Sequence, residues 1–180
     1  MDGRDAPRNP LEKMIADDLI RRILKEYKLP RDGIHGVAHW ARVLETGLRL
    51  AETTGANPEV VRLFAVFHDG KRMNEGWDPD HGRRGGDFAA SLRGTGFDLA
   101  PKDFDLLYDA CAYHTDGLID GKVTIQTCWD ADRLDLGRVG IAPELKYLGT
   151  EAARELQNIT WADERSQSHW VPEWVWDLWR

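Results

Sequence analysis

Cysteine is scarce: two residues in 180, Cys111 and Cys128, with no Cys-x-x-Cys spacing. That excludes a disulfide framework and a thiolate metal cage, and it fits a reducing compartment. Basic excess is also missing. Lys and Arg number 24 against 31 Asp and Glu, a net charge of −7, the reverse of what a dedicated nucleic-acid binder carries. Long apolar runs are absent too. The longest stretch without a charged residue, 33–41, has nine residues, where a membrane helix needs about 18. The opening MDGRDAPRNP has no apolar signal-peptide core, so the expected location is cytoplasmic and no membrane contact is expected. Strands are not in evidence either, since VTIQT at 123–127 runs straight into a helical pattern. GTGFD at 94–98 reads as a turn, and Ser166 with His169 makes no catalytic triad without a placed acid.

What is present is helical period. The expected fold class is all-α, with residues 1–9 frayed, a bundle over 10–157 and a Trp-rich segment over 158–180. Asn9, Pro10 and Glu12 read as the start of a first helix whose stripe runs Leu11, Ile15, Leu19, Ile23, Tyr27. A second helix is expected from near His35 to about Thr53, with His39, Val43, Gly47 and Leu50 inward and Gly55 ending it. Asn57-Pro58 opens a third helix with Val61, Phe64, Ala65 and His68 on one face. After a loop at 70–80 a fourth helix runs from His81 through Leu92. Pro101 begins a fifth, carrying Leu107, Ala110, Cys111 and His114, and a sixth carries Ile125, Cys128, Trp129 and Asp132. Residues 143–157 form a seventh. Five of the eight tryptophans lie in the last 20 residues; packing of that segment on the domain is the favoured use, a homodimer or partner surface the alternative.

His39, His68, His114 and Asp132 each fall in register with an apolar stripe, so the period turns their polar tips inward. A single buried histidine is commonly a satisfied core residue, but several from separate helices need a common partner, and a metal ion supplies one. Neutral imidazoles with ionised carboxylates suit Mn, Fe, Co, Ni or Zn, with Mg a further candidate. Asp69 follows His68 directly where its helix ends. Asp130 and Asp135 flank Asp132, as hydrogen-bond acceptors behind the ligands or as ordinary helix carboxylates. Lys71, Arg72, Arg83, Arg84 and Arg133 lie close to these motifs in sequence. Lys71, Arg72, Arg84 and, above all, Arg133 are the candidates for holding a phosphorylated small-molecule substrate, since a protein of net negative charge needs a local positive frame for an anion.

The ordered series HGVAHWARV at 35–43, FAVFHDGKR at 64–72, DPDHGRRGG at 78–86, CAYHTDG at 111–117 and CWDADRLDLGRVGI at 128–141 resembles the HD-domain superfamily of metal-dependent phosphohydrolases. The resemblance spans roughly residues 33 to 142 and does not reach the Trp-rich tail. It implies an all-α HD-domain bundle of about six to eight helices, with His39, the doublet His68-Asp69 and Asp132 as metal ligands. Dinuclear relatives add two histidines, which His81 and His114 resemble, with Asp69 then bridging two ions. The 13 residues from His68 to His81 are fewer than is usual there. The resemblance therefore implies one or two ions, and in the mononuclear case His81 and His114 contact substrate or lie in loops around the site. In the cyclic-nucleotide phosphodiesterase branch a histidine placed as His35 is, four residues before His39 and expected on the same helix face, protonates the leaving group. The implied activity is hydrolysis of a phosphate ester of a nucleotide or related metabolite by metal-activated water, with His35 and Asp69 in catalytic roles. Two alternatives share the sequence features: a di-iron oxygenase like inositol oxygenase, and a non-catalytic metal-stabilised binding or sensing module.

Overall fold

A computed structural model describes residues 15 and 17–179. Within them the chain forms nine α-helices and no strand: α1 Asp17–Glu26, α2 Val37–Thr54, α3 Pro58–Phe67, α4 His81–Leu92, α5 Pro101–Tyr113, α6 Val123–Arg133, α7 Glu151–Arg154, α8 Leu156–Gln167 and α9 Glu173–Leu178. The all-α expectation holds. The helix start read at Asn9, Pro10 and Glu12 lies outside the described residues.

α3 explains the layering. Its sequence PEVVRLFAVF is apolar except for the Glu59–Arg62 ion pair in its first turns, and Val60, Val61 and Leu63 through Phe67 are all buried. A helix whose last five residues are all apolar and buried has to run into the middle. It packs against α1, α2, α4, α5 and α6. Asn57 caps it, its Oδ1 accepting from the Glu59 amide at 2.9 Å, and Pro58 occupies the first turn. α2 ends at Gly55, whose φ of 73° is the left-handed closure that glycine accommodates. The four inward positions read for α2 are all buried, as are those of α3 and α5. In α6, Ile125, Cys128 and Trp129 are buried while Asp132 is partly exposed.

Glycine also sets the spacing of α4. A Cβ on Gly85 would stand 2.3 Å from the Phe67 carbonyl oxygen, and one on Gly82 would stand 2.3 Å from the Cys111 carbonyl oxygen. α4 therefore presses backbone to backbone on the ends of α3 and α5.

Two local expectations change. α2 begins at Val37, so His35 lies in the turn before it rather than on the helix. The seventh helix read over 143–157 does not form as one piece. A short 3-10 turn occupies Leu145–Tyr147, α7 spans four residues, and the long helix α8 starts at Leu156. Asp130 fixes the first interruption: its carboxylate accepts from the Gly149 amide, the Thr150 amide and the Thr150 hydroxyl at 2.7, 2.8 and 2.7 Å, holding 149–150 as a turn, while Glu155 in an extended conformation separates α7 from α8. Thr150 then caps α7. The boundary drawn between 157 and 158 thus cuts through α8.

The tail packs on the domain. Val175 and Trp179 are buried in the main core, and Ala162 belongs to a second cluster with Leu50, Leu134 and Leu148. No helix among the described residues is long and apolar enough to cross a membrane.

Candidate metal centre

The polar side chains in register with the stripes meet at one end of the bundle. His39 is in the first turn of α2, and His68 follows the last residue of α3. His81 opens α4, His114 follows the last residue of α5, and Asp132 is in the last turn of α6. The helix termini therefore supply both the donors and the loose backbone that lets adjacent residues converge.

Each imidazole is oriented by its Nδ1. That of His68 faces the Phe64 and Ala65 carbonyls of the last turn of α3, both at 3.1 Å; the Phe64 carbonyl also accepts from the His68 amide. His114 Nδ1 faces the Cys111 carbonyl at 2.7 Å, and His81 Nδ1 the Asp78 carbonyl at 2.5 Å. His39 Nδ1 faces Asp135 Oδ2 at 2.7 Å. Carbonyls and carboxylates only accept, so each Nδ1 carries a proton, and in the neutral form of the ring that binds metal each Nε2 presents a lone pair. Those lone pairs point at one another: His39 Nε2 to His68 Nε2 is 3.0 Å, and His81 Nε2 to His114 Nε2 is 2.9 Å.

Between the two pairs stands Asp69, 2% exposed. Its Oδ2 lies 3.7 Å from both His39 and His68 Nε2. Its Oδ1 lies 3.1 Å from His81 Nε2 and 3.9 Å from His114 Nε2. Asp132 Oδ1 completes the first group at 3.3 Å from His39 Nε2 and 3.9 Å from His68 Nε2. Two buried groups that can hold a metal ion result: His39, His68 and Asp69, joined by Asp132, and Asp69, His81 and His114.

The donor set fits a divalent ion. Facing lone pairs at these separations repel unless a cation lies between them, and two ligands at right angles about 2.1 Å from one ion are about 3 Å apart. Protonation states agree. Burial drives His68 down to about 3 and also lowers His114, so both are neutral near pH 7. Burial alone would raise Asp69 and Asp132, but the surrounding histidines outweigh it and hold both well below the usual carboxylate range. Neutral imidazole and ionised carboxylate are the forms that bind metal.

Behind the donors, Asp135 is clamped by Arg42, which donates through Nε at 2.6 Å and Nη2 at 3.0 Å. The tail reaches this clamp: the Trp170 carbonyl accepts from Arg42 Nη1 at 3.0 Å, and the Ser166 hydroxyl donates to the Asp135 carbonyl at 2.9 Å. Asp135 thus acts behind the ligands, whereas Asp130 anchors the 149–150 turn. The Arg42 contribution had no signal in the sequence, because it depends on a partner 93 positions away.

A cavity of about 450 Å³ opens beside the centre, lined by His114 and Asp132 together with Arg133, Leu136, Ile141, Pro143 and Tyr147 among others. The basic candidates separate here. Arg72 Nη1 lies 3.4 Å from Asp69 Oδ1 and 3.0 Å from His81 Nε2. Arg133 lines the cavity, but its two terminal nitrogens donate to the Tyr147 and Leu118 carbonyls at 2.6 and 2.7 Å. Arg84 is paired with Asp78, 2.6 Å to each oxygen, and donates to the Lys71 carbonyl. Lys71 meets Glu26 at 2.9 Å and lies over the Phe88 ring, tying α1 to α4. Arg84 and Lys71 are thus committed to structural partners. His35, 8% exposed, has its ring centre 6.3 Å from that of His39 and its Nδ1 2.5 Å from Glu75 Oε2. Glu75 had not been singled out from the sequence, where nothing in the loop 70–80 marks it. Both cysteines are buried, and burial raises their thiols, so neither is a thiolate candidate.

Comparison of the chain with family models, with curated proteins and with solved structures finds no match.

Proposed function

We propose that the protein is a metal-dependent phosphohydrolase acting on a phosphate ester of a nucleotide or a metabolite of similar size. The observation that carries this reading is the set of four imidazole lone pairs and two carboxylates, all buried or nearly so, meeting beside the 450 Å³ cavity. These residues would hold a divalent ion, and the chemistry it would supply is a lowered pKa for bound water and polarisation of a phosphoryl oxygen.

The chain supplies the rest. His39, His68, Asp69 and Asp132 would hold the ion, with His81 and His114 on the other side of Asp69. Asp132 and His114 are the donors that border the cavity, so the phosphoryl group enters from there. Leu136, Ile141, Pro143 and Tyr147 offer an apolar surface to the organic part of the ester. With only Arg133 and Glu144 charged on the cavity wall apart from Asp132 and the ligating His114, the lining favours one phosphate on an uncharged body over a polyphosphate chain. His35 is the proton donor to the leaving group in this reading. Its Nδ1 faces Glu75 Oε2, and its ring stands on the His39 side of the centre rather than among the residues that line the cavity.

The test is a panel of phosphorylated metabolites, mono- and diesters, incubated with the protein and Mn²⁺, Co²⁺ or Mg²⁺ while phosphate or alcohol release is followed. Turnover of at least one ester that disappears in Asp69→Ala is expected. No release from a broad panel overturns the reading. Bound iron with oxygen consumption would replace it with the di-iron oxygenase, and binding without any turnover with the sensing module.

A further inference from the structure

The two donor groups share Asp69 but differ in charge. The first contains two carboxylates, Asp69 and Asp132; the Asp135 carboxylate 2.7 Å behind His39 is offset by its ion pair with Arg42, so the difference rests on Asp132. The second has the shared carboxylate alone, and a permanent cation sits against it. Arg72 Nη1 is within 3.4 Å of Asp69 Oδ1 and of both ring nitrogens of His81, 3.0 Å from the Nε2 that would bind an ion. A guanidinium does not lose its proton in a protein, so this charge is present at every working pH.

Arg72 is not there by chance of a loose side chain. It is 7% exposed, and its other nitrogens are tied down within its own loop. Nε donates to the Asn74 carbonyl at 3.3 Å and Nη2 to the Gly76 carbonyl at 2.7 Å. The loop is braced in turn: Asn74 Oδ1 accepts from the Gly76 amide at 2.8 Å, and Asp78 Oδ2 accepts from the Met73 amide at 2.9 Å while held by Arg84. The guanidinium thus takes the place of counter-charge to Asp69 Oδ1 on the side of His81.

We propose that the centre is graded: His39, His68, Asp69 and Asp132 bind one divalent ion tightly, and Arg72 holds the second position, at Asp69, His81 and His114, in a weak-binding state. The guanidinium opposes a second cation by direct repulsion and by occupying the lone-pair region of its ligands. This inference needs only the metal centre and not the hydrolytic reading.

Metal-free full-length protein titrated with Mn²⁺, by calorimetry and by electron paramagnetic resonance, tests it. The wild type is expected to take one equivalent at least about tenfold more tightly than the second, the minimum for a full charge held this close to the site. The first equivalent gives the spectrum of an isolated ion, and spin coupling appears only as the second binds. Arg72→Met, which keeps the bulk and removes the charge, is expected to tighten the second equivalent about tenfold or more and the first by less, since Asp69 is shared, so that the gap between them narrows. Arg72→Lys, which keeps the charge, retains most of the gap. Should Arg72→Met fail to fold, Arg72→Gln makes the same comparison. Two equivalents of equal affinity in the wild type overturn the proposal, and so does a weak second site that Arg72→Met and Arg72→Gln leave weak. Ion binding is read without turnover, so neither result bears on phosphate release, and an inactive panel leaves the grading intact.

Discussion

His39 and His81 present their Nε2 atoms to opposite sides of Asp69, yet their supports have little in common. His39 is oriented by a carboxylate 96 residues away, itself clamped by Arg42 and buttressed by Ser166 and Trp170 of the tail. His81 is oriented by the neutral carbonyl of Asp78, three residues before it, in a loop that also carries Arg72. One side of the centre is thus built by tertiary packing of the whole bundle, the other by a single braced loop and two glycine contacts. A carboxylate behind an imidazole raises its basicity as a ligand, and a carbonyl does so less. Strength of binding and tolerance to change should therefore divide along the same line.

The comparison breaks altogether where the two sides join. Asp69→Ala is expected to remove turnover by at least about 10³-fold, because it takes a donor from both groups at once. Helical content by circular dichroism should stay intact, since Asp69 serves the donors and Arg72 rather than the apolar core. Activity within tenfold of wild type would falsify the placement of Asp69 at the centre of the chemistry.

Asp135→Asn sharpens the first side. It keeps an acceptor for His39 but removes the negative charge and leaves Arg42 without its ion-pair partner. The first ion should weaken by about 10–100-fold, the usual range for such outer partners. Thermal stability should also fall, as one charge of a buried pair is left behind. A variant that binds the first ion as wild type does would show that the carboxylate behind His39 is idle.

Gly85→Ala sharpens the second side. Its Cβ meets the Phe67 carbonyl, a backbone atom, so α4 has to retreat and carry His81 away from Asp69. The same Cβ would stand 3.0 Å from the His68 carbonyl oxygen, so the expected cost is about 1–3 kcal/mol of stability, with a larger loss of affinity at the second ion than at the first. Equal weakening of both ions would mean the two sides move as one body.

Acidification adds a smaller, shared effect on the metal-free protein. Burial places His68 at about 3 against an ordinary 6.5, so the folded form takes up fewer protons than the unfolded chain below that ordinary value. The stability it contributes is complete above pH 6.5 and declines as the pH drops towards 3, with His114 acting in the same direction. Asp69 and Asp132, both lowered, add losses only below the ordinary carboxylate value of 3.8. The unfolding midpoint without metal should fall between pH 7.5 and 5.0; a flat profile over that interval would mean the imidazoles are already partnered in the unfolded chain.

Much of this was legible in the chain. The stripes of α2, α3 and α5 gave their helices and put His39, His68 and His114 inward because burial and helical period are local properties of sequence. The break at 149–150 was hidden, since it depends on Asp130 capturing amides about 20 residues on. So was the fate of the basic residues. Lys71, Arg72 and Arg84 lie within 14 positions and read alike as charges near the motifs. Which of them faces the donors is decided by the fold of the loop 70–80 around Asp78, and period carries no information about that.

Lys71 offers the mildest test and the cleanest one for that lesson. Chain proximity to His68-Asp69 nominates it as a phosphate contact, while the structure directs its amine to Glu26 and the Phe88 ring. Such exposed pairs contribute little to stability, and their loss is felt least of all at a distant site. Lys71→Ala should therefore leave KM for the best ester of the panel unchanged and shift the unfolding midpoint only slightly. Arg72→Met in the same assay should change KM or metal dependence, because its guanidinium touches Asp69 and His81. A rise in KM from Lys71→Ala as large as that from Arg72→Met would mean the loop swings when substrate arrives, and that both cations then turn towards the phosphate.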